Sequence, residues 1–156
     1  MASQDYEEFI VALNDQGARY LIVGAHAVAL HGRPRATKDL DILIEDSDAN
    51  ATRVLAALRA FFGGADLGYS VDDLTDPRWI IQLGVAPVRI DLLSQLEGFD
   101  DFDRLWINRI DAKFGPVASH FLGLDDLIQA KEAAGRMQDK ADVAALRRIR
   151  RRDQAR

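Results

Sequence analysis

A chain of 156 residues and 17.3 kDa has room for one hydrophobic core, and 48% hydrophobic with 29% charged residues is a globular balance, not a disordered one. The absence of cysteine excludes disulfides, thiolate metal sites and cysteine nucleophiles, and no apolar run approaches the roughly 20 residues of a membrane helix. The net charge of −5 is uneven: residues 147–156 carry six arginines and one aspartate (+5), whereas residues 1–146 carry 14 basic and 24 acidic side chains (−10). An acidic body is a poor general surface for nucleic acid. The basic tail reads either as a solvated helix end, where arginines suit the negative pole, or as a contact for an acidic partner. The opening MASQDYEEF is acidic and amphipathic and lacks the form of a secretory signal, so the expected compartment is the cytoplasm and no membrane partner is expected.

In chain order, Tyr6, Phe9, Ile10 and Leu13 fall at helical spacing ahead of Gly17 and predict an amphipathic helix. Arg19 to Val23 is a short apolar strand closed by Gly24, followed by a small-residue helix over Ala25 to Leu30. Gly32 to Lys38 is a cationic loop, and Leu40 to Ile44 is a strand. Val54, Leu55, Leu58, Phe61 and Phe62 predict a helix ended by Gly63-Gly64. Trp79 to Leu83 and Val88 to Leu93 read as a hairpin turning at Gly84 and Pro87. The stretch from Phe99 to Phe121 has weak periodicity, compatible with a helical turn and a second hairpin. Helix resumes at Leu124, breaks at Gly135 and continues from about Asp139. The expected architecture is α+β: one domain over residues 1–156, a mixed β-sheet with helices packed mainly on one face, and a C-terminal helical segment over 124–156.

The chemistry-bearing pattern is Gly24-Ala25, thirteen residues, then Asp39-Leu40-Asp41-Ile42, with Val88-Arg89-Ile90-Asp91-Leu92 beyond. Alternate strand residues share a face, so Asp39 and Asp41 point the same way about 7 Å apart. Two carboxylates so placed repel unless a cation lies between them, and hard divalent ions such as Mg²⁺ or Mn²⁺ take oxygen ligands. Asp91 sits in an apolar strand, where an unpaired charge is costly. Beside the first strand it would complete a triad suited to two-metal phosphoryl chemistry. The strand-to-helix junction at Gly24-Ala25 offers backbone N–H groups for phosphate, with Arg33, Arg35 and Lys38 as candidate phosphate partners.

The run LIVGAHAVALHGRPRATKDLDILI resembles the nucleotidyltransferase signature of the DNA polymerase beta-like superfamily, and VRIDLL is similar to its third-carboxylate strand. LDDLIQAKEAAGRMQDKADVAAL resembles the helical segment of small prokaryotic nucleotidyltransferases, including toxin-like members of abortive-infection systems. The resemblance implies the nucleotidyltransferase fold, with a catalytic core over 19–93. It assigns Asp39, Asp41 and Asp91 to catalysis and metal binding, and Lys131 to the nucleotide phosphates. Arg136, Asp139 and Asp142 follow in the matching Arg-x-x-Asp-x-x-Asp positions. One departure is Ala25, which stands where the family usually has Gly or Ser, so a hydroxyl that could bond phosphate is missing.

Plainer readings stand beside these. Asp39 and Asp41 could form a solvated strand edge paired with Arg35 or Lys38, and Asp91 could be satisfied by a salt bridge. Arg33 and Arg35 could merely coat a loop, and Lys131 could be a snorkelling surface residue. His26 and His31 lie about 140° apart around a helix and share no metal face. Trp79 and Trp106 read as core. The expected activity is metal-dependent transfer of a nucleoside monophosphate from an NTP to an acceptor hydroxyl, releasing pyrophosphate. The acceptor classes are a tRNA end, a protein or a small molecule. The alternative is a catalytically weak or silent module acting as an antitoxin-like or regulatory partner of another protein.

Overall fold

The computed structural model describes residues 2–33, 39–85 and 88–155. Helix α1 (Ala2–Asp15) leads into strand β1 (Tyr20–Val23), α2 (Gly24–Leu30), β2 (Asp39–Ile44) and α3 (Asp48–Phe61). Then follow α4 (Val71–Thr75), β3 (Ile80–Val85), β4 (Val88–Leu93), α5 (Phe102–Ile107), β5 (Ile110–Phe114) and β6 (Val117–Phe121). Helices α6 (Leu124–Ala134) and α7 (Met137–Gln154) complete the order. The strands form one mixed sheet in the order β3-β4-β2-β1-β6-β5. β1 runs antiparallel to β2 and parallel to β6, and β2 runs parallel to β4.

Strand alternation divides the core in two. Tyr20, Ile22, Leu40, Ile42, Ile44, Ile90 and Leu92 face α1, α3 and α4, against Phe9, Ile10, Val54, Leu58 and Leu74. Leu21, Val23 and Leu43 face the other way, against Val28, Leu105, Leu127, Ile128, Val143 and Leu146 of α2, α5, α6 and α7. The α+β class, mixed sheet and C-terminal helices follow the sequence reading. The helices, however, cover both faces, because β1 and β2 carry apolar residues on both sides and each side must be buried.

Several elements differ from the sequence reading. α4 has little periodicity in its five residues; its start is fixed by Ser70, whose side chain accepts from the Asp73 N–H while Asp73 accepts from the Ser70 N–H. The weakly periodic stretch does hold the expected helical turn and second hairpin, α5 and β5–β6; what the sequence did not offer is that β6 joins the main sheet through Ile22 opposite Phe121. Trp79 is not core: it is 59% exposed. Arg19 caps Trp106 at 4.8 Å and Arg109 at 4.0 Å, so that ring is held between cations at the margin of the second core cluster. The arginine-rich end belongs to α7, where Arg147 pairs with Glu132 at 2.6 Å and Arg150 with Asp125 at 3.1 Å. Among the described residues no helix is long and apolar enough to cross a membrane.

Candidate active site

β2 reads Asp-Leu-Asp-Ile-Leu-Ile, and its period-two pattern does the positioning. Leu40, Ile42 and Ile44 anchor one face in the α1/α3 core, so Asp39 and Asp41 project from the other, toward α6 and α7. The parallel pairing with β4 sets Asp41 beside Asp91 and Asp39 beside Arg89. The antiparallel pairing with β1 sets Val23 opposite Asp41. Gly24 then turns the chain into α2 with φ +68°, and a Cβ there would fall 2.3 Å from Asp41 Oδ2. Only glycine combines that left-handed backbone with so close an approach.

Charge is crowded at this point. Burial, then the neighbouring charges of Asp91 and Asp39, push the Asp41 carboxyl up to about 6; the Lys131 ammonium acts in the opposite sense. Asp91 is 8% exposed, deep enough that its charge needs compensation. Arg89 supplies part of it: Nη2 lies 2.8 Å from Asp39 Oδ2, and Nε lies 3.2 Å from Asp91 Oδ1. The Tyr6 phenol of α1 hydrogen-bonds the Arg89 backbone below the carboxylates, and burial together with those negative charges raises its pKa.

The carboxylates form the floor of a cleft of about 690 Å³. Lys131, Arg136 and Asp139 contribute one wall from the α6–α7 corner, while Trp79, Ile80, Leu96 and Phe99 make an apolar wall. Lys131 Nζ is held by Asp139 Oδ1 at 3.2 Å and Asp142 Oδ2 at 3.3 Å. Asp142 is fully buried and is also approached by Arg33 Nε at 3.2 Å and by the Gln138 amide at 3.1 Å. Arg136 Nε donates to Asp139 at 2.7 Å. Three charges of the Arg-x-x-Asp-x-x-Asp stretch are thereby bound into the network that orients Lys131.

Among the described residues no three acidic or histidine side chains are gathered as a ready-made cation cage, and Arg89 engages Asp39 and Asp91. The donors are nonetheless of the chemical kind that a hard divalent ion takes: Asp39, Asp41 and Asp91 all line the cleft, and Asp91 Oδ1 is buried in ion-pair contact but without a hydrogen bond.

Of the residues picked out in the sequence, the structure brings Asp39, Asp41, Asp91, Gly24 and Lys131 to this cleft. Ala25 follows within α2, whose first turn has no side-chain cap. Arg33 is directed at Asp142. Arg35, Lys38 and Pro87 lie outside the described residues. His31 Nε2 contacts the Leu122 carbonyl at 2.8 Å, and His26 packs edge-on to Tyr6, in line with two separate structural roles. The sequence reading left out three residues: Arg89, Tyr6 as a neighbour of the triad, and Trp79 as a cleft wall. Arg89 had a signal of its own, since a cation two residues before Asp91 on a strand must share its face.

The α+β architecture, with its mixed six-stranded sheet and C-terminal helices, is consistent with a nucleotidyltransferase-like fold. Over residues 2–156 the chain matches the family described as "Nucleotidyl transferase of unknown function (DUF2204)", and it belongs to that family. No curated protein matches the chain significantly.

Proposed function

We propose that the chain transfers a nucleoside monophosphate from an NTP to an acceptor hydroxyl. The observation that carries this reading is the register pairing of Asp41 with Asp91, with Asp39 two residues away on the same face. In the reaction the acceptor hydroxyl oxygen bonds to the α-phosphorus and releases its proton to water, the bond from that phosphorus to the β-phosphate oxygen breaks, and pyrophosphate leaves with its charge. A divalent ion, Mg²⁺ or Mn²⁺, held by Asp39, Asp41 and Asp91, would neutralise the triphosphate and stabilise the entering and leaving oxygens. Asp91 would also orient the attacking hydroxyl. Lys131, fixed by Asp139 and Asp142, presents its ammonium to the phosphates, and the Gly24–Ala25 junction presents backbone N–H groups. Arg33, Arg35 and Lys38 remain proposed phosphate partners, Arg33 after leaving Asp142. Catalysis of this kind is positioning and charge neutralisation.

Kinship with the toxin-type nucleotidyltransferases of abortive-infection systems is part of the same proposal, supported by Lys131, Arg136, Asp139 and Asp142. So are a cytoplasmic location and an acceptor drawn from tRNA ends, protein hydroxyls or small molecules. One observation favours a second reading, a silent module that acts through a protein partner: Arg89 already pairs with two of the three carboxylates. Calorimetry with Mg²⁺-ATP and Mg²⁺-GTP separates the two. The transferase binds at least one of them and loses that binding in Asp41→Asn; the module binds neither at millimolar concentration.

A further inference from the structure

We propose that Arg89 is the resident counter-cation of the carboxylate triad, a positioning residue that a divalent ion must displace to reach Asp39 and Asp91. The inference rests on the reading of the triad as a cation site. β4 places Arg89 two residues before Asp91 on the same face and directly opposite Asp39, so one guanidinium spans both carboxylates, at 2.8 Å from Asp39 and 3.2 and 3.4 Å from Asp91. A guanidinium carries one charge, whereas the three neighbouring aspartates carry up to three, so it offsets the repulsion without cancelling it.

The pairing also has the marks of an exchangeable contact. Arg89 Nε and Asp91 Oδ1 are both buried, yet their 3.2 Å approach lacks hydrogen-bond geometry and neither atom has another hydrogen-bond partner among the described residues. A permanent structural pair would satisfy those atoms, because burying them unbonded is costly. The Arg89 side chain is 35% exposed and lines the cleft, so the guanidinium can leave the carboxylates without unpacking the core. Once turned out, it offers a rigid fork of donors suited to phosphate oxygens at the same place. Cation entry and phosphate binding then become linked through one side chain. In the free protein the same side chain lessens the repulsion among the carboxylates.

The test is Mn²⁺ binding, followed by loss of the free-ion electron paramagnetic resonance signal at pH 8 with no nucleotide present. The native chain, Arg89→Met and Asp41→Asn are compared after circular dichroism shows each to be folded. Removing the competitor is expected to tighten Mn²⁺ binding in Arg89→Met by about tenfold, the equivalent of about 1.4 kcal/mol. Asp41→Asn is expected to lose binding. In the native chain, which is free of any folding defect, the ¹⁵Nε–¹Hε resonance of Arg89 is expected to shift as Mg²⁺ is added. Equal Mn²⁺ affinity in the native chain and Arg89→Met, or an Arg89 resonance unmoved by saturating Mg²⁺, overturns the counter-cation role and leaves the triad reading standing. Absence of Mn²⁺ binding in both proteins overturns the triad reading and this inference with it.

Discussion

Gly24 and Asp41 are in such close contact that a single methyl group on the first would lie 2.3 Å from the Oδ2 of the second. The turn that ends β1 and the carboxylate of β2 are therefore one structural unit. Gly24→Ala would place an L-residue in the left-handed region, at about 1–2 kcal/mol, and push Asp41 aside as well. The melting temperature is expected to fall by roughly 3–8 °C, with Mn²⁺ affinity lost alongside it. A variant that melts like the native chain and binds Mn²⁺ equally well would show that the close approach is unimportant.

Asp41 gives a pH-dependent prediction whose sign is unusual for an aspartate. Its carboxyl is raised from 3.8 to about 6 by burial and by Asp91 and Asp39. The folded chain thus holds this proton more tightly than the unfolded chain does, and folding loses stability as pH rises from about 4 through 6. The two-unit difference corresponds to about 3 kcal/mol at neutral pH and above. Without divalent ions, Asp41→Asn is expected to be close to native stability at pH 4 and more stable than native at pH 8, as read by urea denaturation. Saturating Mg²⁺ should stabilise the native chain at pH 8 and leave the variant unmoved. A stability difference that does not change with pH would contradict the crowding of charge at Asp41.

The lysine on α6 should matter to folding as well as to phosphate binding. Lys131 is 12% exposed and held by Asp139 and the fully buried Asp142, whereas the Arg136 side chain is 77% exposed. Lys131→Met leaves buried carboxylates short of a partner and is expected to cost about 3 kcal/mol. Arg136→Met breaks a largely solvated pair and is expected to cost less than about 1 kcal/mol. Equal costs in urea titrations would show that the network does not depend on Lys131.

The two tryptophans should report separately. Trp79 is exposed on the apolar wall of the cleft, and Trp106 is enclosed by Arg19, Arg109 and Phe102 away from it. A Mg²⁺-nucleotide in the cleft is expected to quench fluorescence in Trp106→Phe and to leave Trp79→Phe unchanged. A response confined to Trp106 would move the nucleotide to another surface.

Legibility of the sequence followed physical strength of pattern. The alternation in Leu40-Asp41-Ile42 disclosed a strand with one wet face, and the glycine before the first short helix disclosed a turn. Those two features were enough to anticipate Asp39, Asp41 and Gly24 as neighbours. What could not be read was register between distant strands: only the pairing of β2 with β4 sets Asp91 beside Asp41 and Arg89 beside Asp39. The same holds for Arg33, whose loop position suggested phosphate but whose guanidinium meets Asp142 of α7. Trp79 was misjudged because a large aromatic usually buries; here β3 is the edge of the sheet and its outer side remains open. Two-sided helix packing was likewise hidden until the core separated into two clusters.

Nucleotidyl transfer at the Asp39, Asp41 and Asp91 cleft can be followed through the α-phosphate of radiolabelled NTPs. The purified chain, with Mg²⁺, is offered each NTP together with tRNA, protein and small-alcohol acceptors. Label is expected to become covalently attached to one acceptor class, with matching pyrophosphate release, and neither product is expected from Asp41→Asn. Undiminished labelling by Asp41→Asn, or no labelling of any acceptor by a native chain shown to bind the nucleotide, would contradict it.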